Sequence, residues 1–270
     1  MGKVLTGVSG FVGNVGATLT NVTVNTGDTL TARSFFPPSK CHITTVWSNQ
    51  QNQSNLLQLK APSFHDNVNG TIIASGNSVR QNLLPFDTNQ TIQAQETLSV
   101  LANGGAGAGD VSTAHIGLFY EDLAGATQKL ISYTEMISRQ VYLTSVQVNI
   151  TAGVVTGQYT GNATVNSLYD QFKANTDYAI IGYTATEAVT GSISALRISG
   201  ADFGGYPILC PVTPLNPSMT ERYFIDLSER YGVGLIPVFN SANKASTILD
   251  VCSNENGTTC VITLLLAMLK

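Results

Sequence analysis

The sequence has few charged residues and no cluster of positive charge. Only 11% of its 270 residues are Asp, Glu, Lys or Arg, whereas soluble globular domains average about 25%. The 13 basic residues occur singly, and 17 acidic residues bring the net charge to −4. Because nucleic-acid-binding proteins neutralise phosphates with clustered Lys and Arg, we expect this chain not to bind nucleic acid directly.

The sequence also lacks a long apolar run. No segment reaches the roughly 18 apolar residues that a membrane-spanning helix needs. The closest, residues 261–269, has the length of a buried strand. The opening residues do not lead into an apolar signal-peptide segment. Either the chain does not enter a secretory channel, or a signal segment has already been removed.

Cysteine is scarce, and none of the four cysteines belongs to a CxxC pair: Cys41, Cys210, Cys252 and Cys260. This spacing does not match a zinc site. Cys252 and Cys260 flank Asn256 and Gly257, a strong turn signal that predicts a hairpin with the two cysteines facing each other. Two interpretations follow: a disulfide bond across the hairpin, or two small buried hydrophobic residues.

The three histidines show no catalytic pattern. His42 and His115 fall within predicted strands, where a packed or surface histidine is the usual case. His65 lies in a loop, where it could bind a metal or act as a base, although a hydrogen-bonded polar turn explains this loop better. Catalysis needs a base beside a nucleophile or carboxylate. We therefore expect no enzymatic activity, catalytic residue, metal or cofactor.

Uncharged polar residues, mainly Thr, Asn, Ser, Gln and Gly, replace the missing charge. Such a surface suits an acidic medium or a crowded assembly, because exposed charges in an assembly would have to be desolvated. The composition also creates seven Asn-x-Ser/Thr sequons, which are surface glycosylation sites if the protein meets a glycosylation system. These are Asn21, Asn52, Asn69, Asn89, Asn149, Asn162 and Asn256.

Hydrophobic residues alternate with Thr, Asn and Ser along most of the chain, which predicts short β-strands. The clearest are residues 91–102, 111–123, 141–150, 178–186 and 260–269. The glycine-rich segment 104–109 lacks the Lys-Ser/Thr of a phosphate-binding loop, and we expect it to form a hairpin loop between the first two of these strands.

Helical signals are confined to two segments. Residues 126–138 predict a short helix near the middle of the chain. Ser218 and Glu221 have the spacing of a capping box, which predicts a second helix over Ser218–Tyr231 that ends at Gly232.

Three pairs of segments, found in the same order in each half, indicate an internal duplication. Residues 24–32 resemble 172–180, residues 57–64 resemble 196–203, and residues 115–123 resemble 261–269. Each half has the length and strand spacing of a β-sandwich or jelly roll.

The fold prediction is therefore an all-β chain of two tandem jelly-roll-like antiparallel β-sandwiches with one or two short helices. The predicted organisation is a first sandwich over 1–125, a connecting segment over 126–138 and a second sandwich over 139–270.

This arrangement resembles the double-jelly-roll major capsid proteins, a group that includes the adenovirus hexon and the coats of membrane-containing bacterial and archaeal viruses. The paired segments carry the resemblance, above all the closing strands 115–123 and 261–269. The resemblance implies a homotrimer of six jelly rolls that tiles an icosahedral virion shell over a lipid membrane, with minor capsid proteins as further partners.

Two other functions agree with parts of the sequence. A β-sandwich subunit of an extracellular filament or cell-surface layer, joined by strand exchange, would share the low charge, the sequons and the β-forming tail. A carbohydrate-binding β-sandwich would present exposed aromatic residues, but Trp47 is the only tryptophan.

Overall fold

The structure is a computed structural model that describes sixteen stretches of the chain. They are residues 2–12, 18, 20–21, 23–24, 41–50, 55–62, 70–75, 80–82, 91–92, 98–103, 112–153, 158–165, 172–188, 192–212, 220–253 and 257–270.

Strands dominate these stretches, and the prediction of an all-β fold is confirmed. In the first half the strands are β1 (Gly2–Val12), β2 (Thr20–Asn21), β3 (Thr23–Val24), β4 (Cys41–Gln50), β5 (Asn55–Lys60), β6 (Thr71–Ser75), β7 (Arg80–Asn82), β8 (Thr91–Ile92), β9 (Ser99–Ala102) and β10 (Ser112–Leu123). In the second half they are β11 (Leu130–Ile131), β12 (Gln140–Thr151), β13 (Tyr159–Thr164), β14 (Asp177–Glu187), β15 (Ile193–Ser199), β16 (Ile208–Pro211), β17 (Ile236–Asn240), β18 (Ile248–Ser253) and β19 (Thr259–Leu269).

In the described stretches the helices are short and lie between residues 133 and 246. They are α1 (Tyr133–Arg139), α2 (Tyr223–Tyr231) and the 3-10 segments Ala201–Phe203 and Ser241–Ser246. Within the described residues, neither α1 nor α2 has the length and apolar character to cross a membrane.

The first half forms two antiparallel sheets. One has the strand order β3, β1, β10, β4 and β7, with β8 also paired to β4, and the other has the order β2, β9, β5 and β6. Strands β7 and β8 pair with different parts of β4, at residues 46–48 and 41–42. Together they occupy the position of one interrupted strand beside β4.

The second half repeats this connectivity. Its sheets have the orders β11, β17, β14, β19, β12 and β13, β18, β15, β16. Numbered one to eight along the chain, strands β12 to β19 form one sheet in the order 6-3-8-1 and another in the order 2-7-4-5. The first half has the same two orders when β7 and β8 count as one strand and β3 is set aside. Both halves are jelly-roll-like sandwiches.

The duplicated segments fall partly on equivalent strands. Residues 115–123 and 261–269 lie in β10 and β19, the eighth strand of each sandwich, and residues 57–64 and 196–203 begin in β5 and β15, the fourth. Most of the segment 24–32 lies outside the described residues. Each sheet contains strands from one half alone, and the boundaries after residues 125 and 138 stay a prediction.

Both predicted hairpins are wrong for the same reason. Strands β9 and β10 belong to different sheets, and so do β18 and β19. The connecting residues 104–111 and 254–256 lie outside the described part of the chain. A turn signal marks a change of chain direction, but it does not determine whether the next strand pairs with the previous one or joins the facing sheet.

The two predicted helices exist but begin later than expected. Helix α1 starts after Ser132, whose Oγ accepts a hydrogen bond from the Glu135 backbone N–H at 3.1 Å, and β11 occupies part of the predicted helical segment. Helix α2 begins after Arg222, which makes no side-chain cap. The proposed cap, Ser218, lies outside the described residues. The end at Gly232 is confirmed, since this residue has the left-handed φ of 64° that favours glycine.

Each sandwich has its own hydrophobic core. The first includes Ile43, Leu59, Val100 and Ile116, and the second includes Ile150, Ile180, Ile198 and Leu264. In both, alternate residues of facing sheets point inward, as the period of two along a strand requires.

Candidate functional site

Strands β4 and β10 are buried on both faces, and this places the contact between the two halves. Ile43 and Ile116 point into the first core. On the opposite face of these strands Trp47 and His115 are 1% and 0% exposed, although they do not belong to that core. Their neighbours are residues of the second half, so one sheet of the first sandwich is covered by the second sandwich.

A hydrogen-bonded chain centred on His115 crosses this interface. The Nε1–H of Trp47 donates to the Ser194 carbonyl oxygen at 3.0 Å, and the Trp47 and His115 rings stack with centroids 5.1 Å apart. His115 Nε2 lies 3.1 Å from Ser194 Oγ, and its Nδ1 lies 3.2 Å from the Tyr159 hydroxyl. Both ring nitrogens of His115 therefore have partners in the second half.

The partners determine where the His115 proton lies. Ser194 Oγ donates to the Cys252 carbonyl oxygen at 3.2 Å, so it accepts from His115 Nε2–H. The Tyr159 hydroxyl in turn donates to Nδ1, which makes His115 a neutral ring protonated at Nε2. Burial lowers the pKa of His115 to about 3, because a charged imidazole would lose its hydration without gaining a counter-ion.

This geometry does not activate Ser194 as a nucleophile. In a catalytic pair the histidine accepts the serine proton, and a third group, usually a carboxylate, holds the imidazole. Here the serine hydroxyl is directed to a carbonyl oxygen, the group behind His115 is a tyrosine, and Ser194 is 0% exposed. The chain of bonds joins the two halves instead.

Helix α2 makes a second set of contacts with the first half. The Tyr231 hydroxyl donates to the Ile43 carbonyl oxygen at 3.0 Å, and the Tyr223 hydroxyl lies 3.1 Å from Thr45 Oγ1. His42 stacks on Phe119 with centroids 5.5 Å apart, close to the Tyr231 ring. Tyrosines at the two ends of α2 therefore hold the helix against β4.

His42 differs from His115 in its partner. Its Nε2 lies 2.6 Å from a carboxylate oxygen of Glu121, which is about half exposed. Among the described residues, three buried side-chain polar atoms have no hydrogen-bond partner, and all three belong to β4 or β10: His42 Nδ1, Thr44 Oγ1 and Thr113 Oγ1.

The segment between the halves is held by a glutamine. Gln128 Nε2 donates to the Leu5 carbonyl oxygen at 2.9 Å, and its Oε1 accepts from the Leu5 N–H at 2.6 Å. Thr6 Oγ1 next to it donates to the Pro207 carbonyl oxygen at 2.9 Å. The side-chain amide of Gln128 therefore completes backbone hydrogen bonds on β1.

The polar segment from Asn240 to Lys244 forms a stapled turn. Asn240 Oδ1 accepts from the Ala242 N–H at 2.9 Å, and Asp202 Oδ2 accepts from Asn240 N and Asn243 Nδ2 at 3.0 and 2.9 Å. Burial raises the pKa of Asp202, but hydrogen bonds from Lys129 and these two asparagines outweigh it, so the pKa is lowered overall.

One surface of the second half is apolar. Ile137 on α1 and Val141 and Leu143 on β12 are 52%, 50% and 61% exposed. Beside them lies an open groove of about 360 Å³, whose walls include Met136, Leu143 and Ile225. Protein surfaces of this kind are typical of contacts with another molecule.

The cysteines are free thiols, and the predicted disulfide between Cys252 and Cys260 is not formed in the structure. Cys252 lies in β18 and Cys260 in β19, which belong to different sheets. All four cysteines are buried, which agrees with the alternative interpretation as small hydrophobic residues.

The remaining predicted site residues are scattered. His65 and the sequons at Asn52, Asn69, Asn89 and Asn256 lie outside the described residues, and of Asn21 only the strand position is described. Asn149 and Asn162 are exposed on β12 and β13. The described stretches contain no group of three or more metal-ligating side chains.

Sequence reasoning missed the residues of the interface. Trp47, Tyr159 and Ser194 are far apart in the chain, and none of them belongs to a local sequence motif that would indicate its contacts. One signal was present: residues 114–120 of β10 are apolar on both faces apart from His115, as expected for a strand covered on both sides.

No protein-family model and no curated protein matches the chain. Among solved structures, the chain is similar to one in the atomic structure of Sulfolobus turreted icosahedral virus, with 9% sequence identity and a TM-score of 0.25. The similarity covers 99% of this chain and 82% of the other. At this TM-score the chain is a weak structural neighbour of a viral protein, and a shared fold is not established.

Proposed function

We propose that this chain is a structural protein that assembles with copies of itself as the major capsid protein of a virion. One observation carries the proposal: two sandwiches with the same eight-strand connectivity are joined through a buried interface. Jelly rolls occur in viral coats, lectins and cupins. A subunit of two similar sandwiches offers its neighbours two similar sets of edges, which suits the repeated contacts of a regular shell.

The proposed unit is a homotrimer, in which three chains contribute six sandwiches to a pseudo-hexameric ring. Such rings tile an icosahedral shell, with minor capsid proteins and an underlying lipid membrane as further partners. The scarcity of charge supports this arrangement, because subunit contacts then bury few groups that must be desolvated. The same scarcity supports assembly without direct nucleic-acid binding.

Other functions of jelly rolls fit the described residues less well. Carbohydrate-binding sandwiches present aromatic rings to the sugar, but Trp47 is 1% exposed. The Ser194–His115 pair is enclosed between the two halves, and its hydrogen bonds run in the direction opposite to that of a catalytic pair. A structural role accounts for these residues without an enzymatic activity.

A filament joined by strand exchange is also less well supported. Strand exchange requires a sheet position that another subunit's strand can fill. Strand β1 lies between β3 and β10, and β19 lies between β14 and β12. To donate either strand, the subunit would first have to break pairing on both of its sides.

The test is the mass and shape of the purified protein. Light scattering after size exclusion should give three times the chain mass of 28.6 kDa, and negative-stain microscopy should show compact trimers, shells or shell fragments. A clean monomer at high concentration under every condition tried would refute the proposal. Filaments would favour the strand-exchange alternative instead.

A further inference from the structure

We infer that the surface formed by α1 and β12, here named the α1–β12 surface, makes a two-fold contact between copies of this chain. It comprises Tyr133–Arg139 and Gln140–Thr151. The inference rests on the proposed homomeric assembly and goes further, because it identifies one surface through which subunits of neighbouring trimers meet and the symmetry of that contact.

The first argument is the concentration of exposed apolar residues. Among the described residues, large hydrophobic side chains are exposed at only three positions: Ile137, Val141 and Leu143. All three fall within seven residues of the chain, beside the groove lined by Met136 and Ile225. Scattered exposed hydrophobic residues are ordinary, whereas a contiguous group marks an interaction site.

The second argument is that β12 is an unprotected edge. It pairs with β19 on one side and is the terminal strand of its sheet in the described part of the chain. Natural edge strands are usually short or carry charges or proline, which prevent pairing with other chains. Strand β12 has 12 residues, with no charged residue and no proline. The equivalent strand of the first half, β1, is covered at one end by β3.

The charge pattern favours a second copy as the partner. A two-fold contact brings residues near its axis close to the same residues of the copy, so uncompensated charge at the centre would be repulsive. Two arginines beside the patch are paired within the chain: Arg139 lies 3.0 Å from Glu135, and Arg222 lies 3.5 Å from Asp226. Two further charges flank the patch with opposite signs, Glu221 in the groove wall and Lys173 over the Tyr142 ring. Because charges of both signs are present, this surface can complement the same surface of a second copy.

The size of the surface also fits. Six residues of α1 and nine of β12 are at least partly exposed, and the other wall of the groove adds Ile181, Glu221 and Arg222. This set approaches the roughly 20–30 residues per partner that stable interfaces involve. The apolar residues lie where α1 meets β12, with Gln147 and Asn149 towards one end, which is the usual arrangement of an apolar centre and a polar rim.

A cross-linking experiment tests the contact directly. The native thiols are buried, so Leu143→Cys introduces an accessible one. The matched control is Thr186→Cys, at an exposed position near the other end of the same sheet. The inferred contact places Leu143, the most exposed of the three apolar residues, near the two-fold axis. A disulfide forms only when the two Cα atoms approach to about 4–7 Å, so we expect mild oxidation to give about tenfold more covalent dimer for Leu143→Cys than for the control.

A charge substitution provides the second measurement. Leu143→Lys would bury an unpaired ammonium group at the contact, and we expect the two-fold association to weaken by at least about tenfold. Thr186→Lys should leave the association constant unchanged. Circular dichroism and melting temperature establish that both variants fold, which is expected because both positions are exposed.

The outcomes separate this inference from the proposed function. If the wild-type protein assembles but Leu143→Cys cross-links no better than Thr186→Cys, the contact lies elsewhere and this inference is overturned, while the proposed function stands. If the wild-type protein is monomeric under all conditions and neither variant cross-links, the proposed function fails and this contact fails with it.

Discussion

The indole N–H of Trp47 donates a hydrogen bond to the Ser194 carbonyl oxygen at 3.0 Å, across 147 positions of sequence. The hydroxyl of the same serine receives a hydrogen bond from His115 at 3.1 Å. Ser194 on β15 is therefore bound by β4 and β10, the two strands that are buried on both faces. Separating the two sandwiches would break these buried hydrogen bonds, which opposes separation.

Trp47→Phe should destabilise the protein although most of the ring volume is kept. The substitution removes the Nε1–H, and the buried Ser194 carbonyl oxygen keeps the longer hydrogen bond from the Val212 N–H at 3.4 Å, so the loss costs about 1 kcal/mol. Urea unfolding monitored by circular dichroism measures the change. Tyr142→Phe, which removes a hydroxyl from a partly exposed ring on β12, is the control and should change the stability little. Equal stability of Trp47→Phe and wild type would contradict the assigned role.

The free energy of unfolding should fall as the pH drops below 6.5. Burial lowers the pKa of His115 from 6.5 to about 3, so the unfolded chain takes up a proton at a pH where the folded chain does not. The His115 contribution is complete above pH 6.5 and is lost progressively down to about pH 3. The expected slope is about 1.4 kcal/mol per pH unit.

His115→Gln provides the comparison, because glutamine does not titrate in either state. Between pH 6.5 and 4.5, the stability of wild type should fall more steeply than that of the variant by the slope given above. Asp202, whose pKa is lowered below 3.8, loses its contribution only at more acidic pH, outside this window. Parallel curves for the two proteins would show that His115 is not buried as a neutral ring.

All four thiols should be free and slow to react. Burial raises the pKa of Cys41 and Cys252 to about 12, so very little thiolate exists at neutral pH. With a thiol reagent, the native protein should react slowly and the denatured, unreduced protein should release four equivalents. Only two equivalents after denaturation would establish a disulfide and restore the pairing predicted from the sequence.

The assembled protein should bind nucleic acid weakly or not at all near physiological salt. It has 13 basic residues against 17 acidic ones, without a cluster, whereas each neutralised phosphate adds nearly one unit to the salt dependence of binding. Gel shifts with single- and double-stranded DNA and RNA across a salt titration provide the measurement. Tight binding with a steep salt dependence would contradict both this expectation and the membrane-lined arrangement.

The sequence by itself determined the secondary-structure class and much of the repeat. Alternation of apolar and polar residues has a period of two, which is a local property of a strand, so β10, β12, β14 and β19 were predicted close to their observed positions. The closing strands of the two halves, residues 115–123 and 261–269, were matched correctly for the same reason. The C-terminal end of α2 followed from Gly232, because a left-handed φ is a local requirement.

Only the tertiary structure decided which strands pair and which residues meet between the halves. The sequences after β9 and β18 have the composition of hairpin turns, but the strands on either side of each belong to different sheets, and a turn residue does not encode that difference. The Trp47–Ser194–His115 contacts and the apolar surface at Leu143 depend on packing between distant segments. Hydrophobic burial has no preferred direction or partner. The alternation of apolar and polar residues therefore indicated which strand faces are buried, whereas only the packing of the sheets showed which residues cover them.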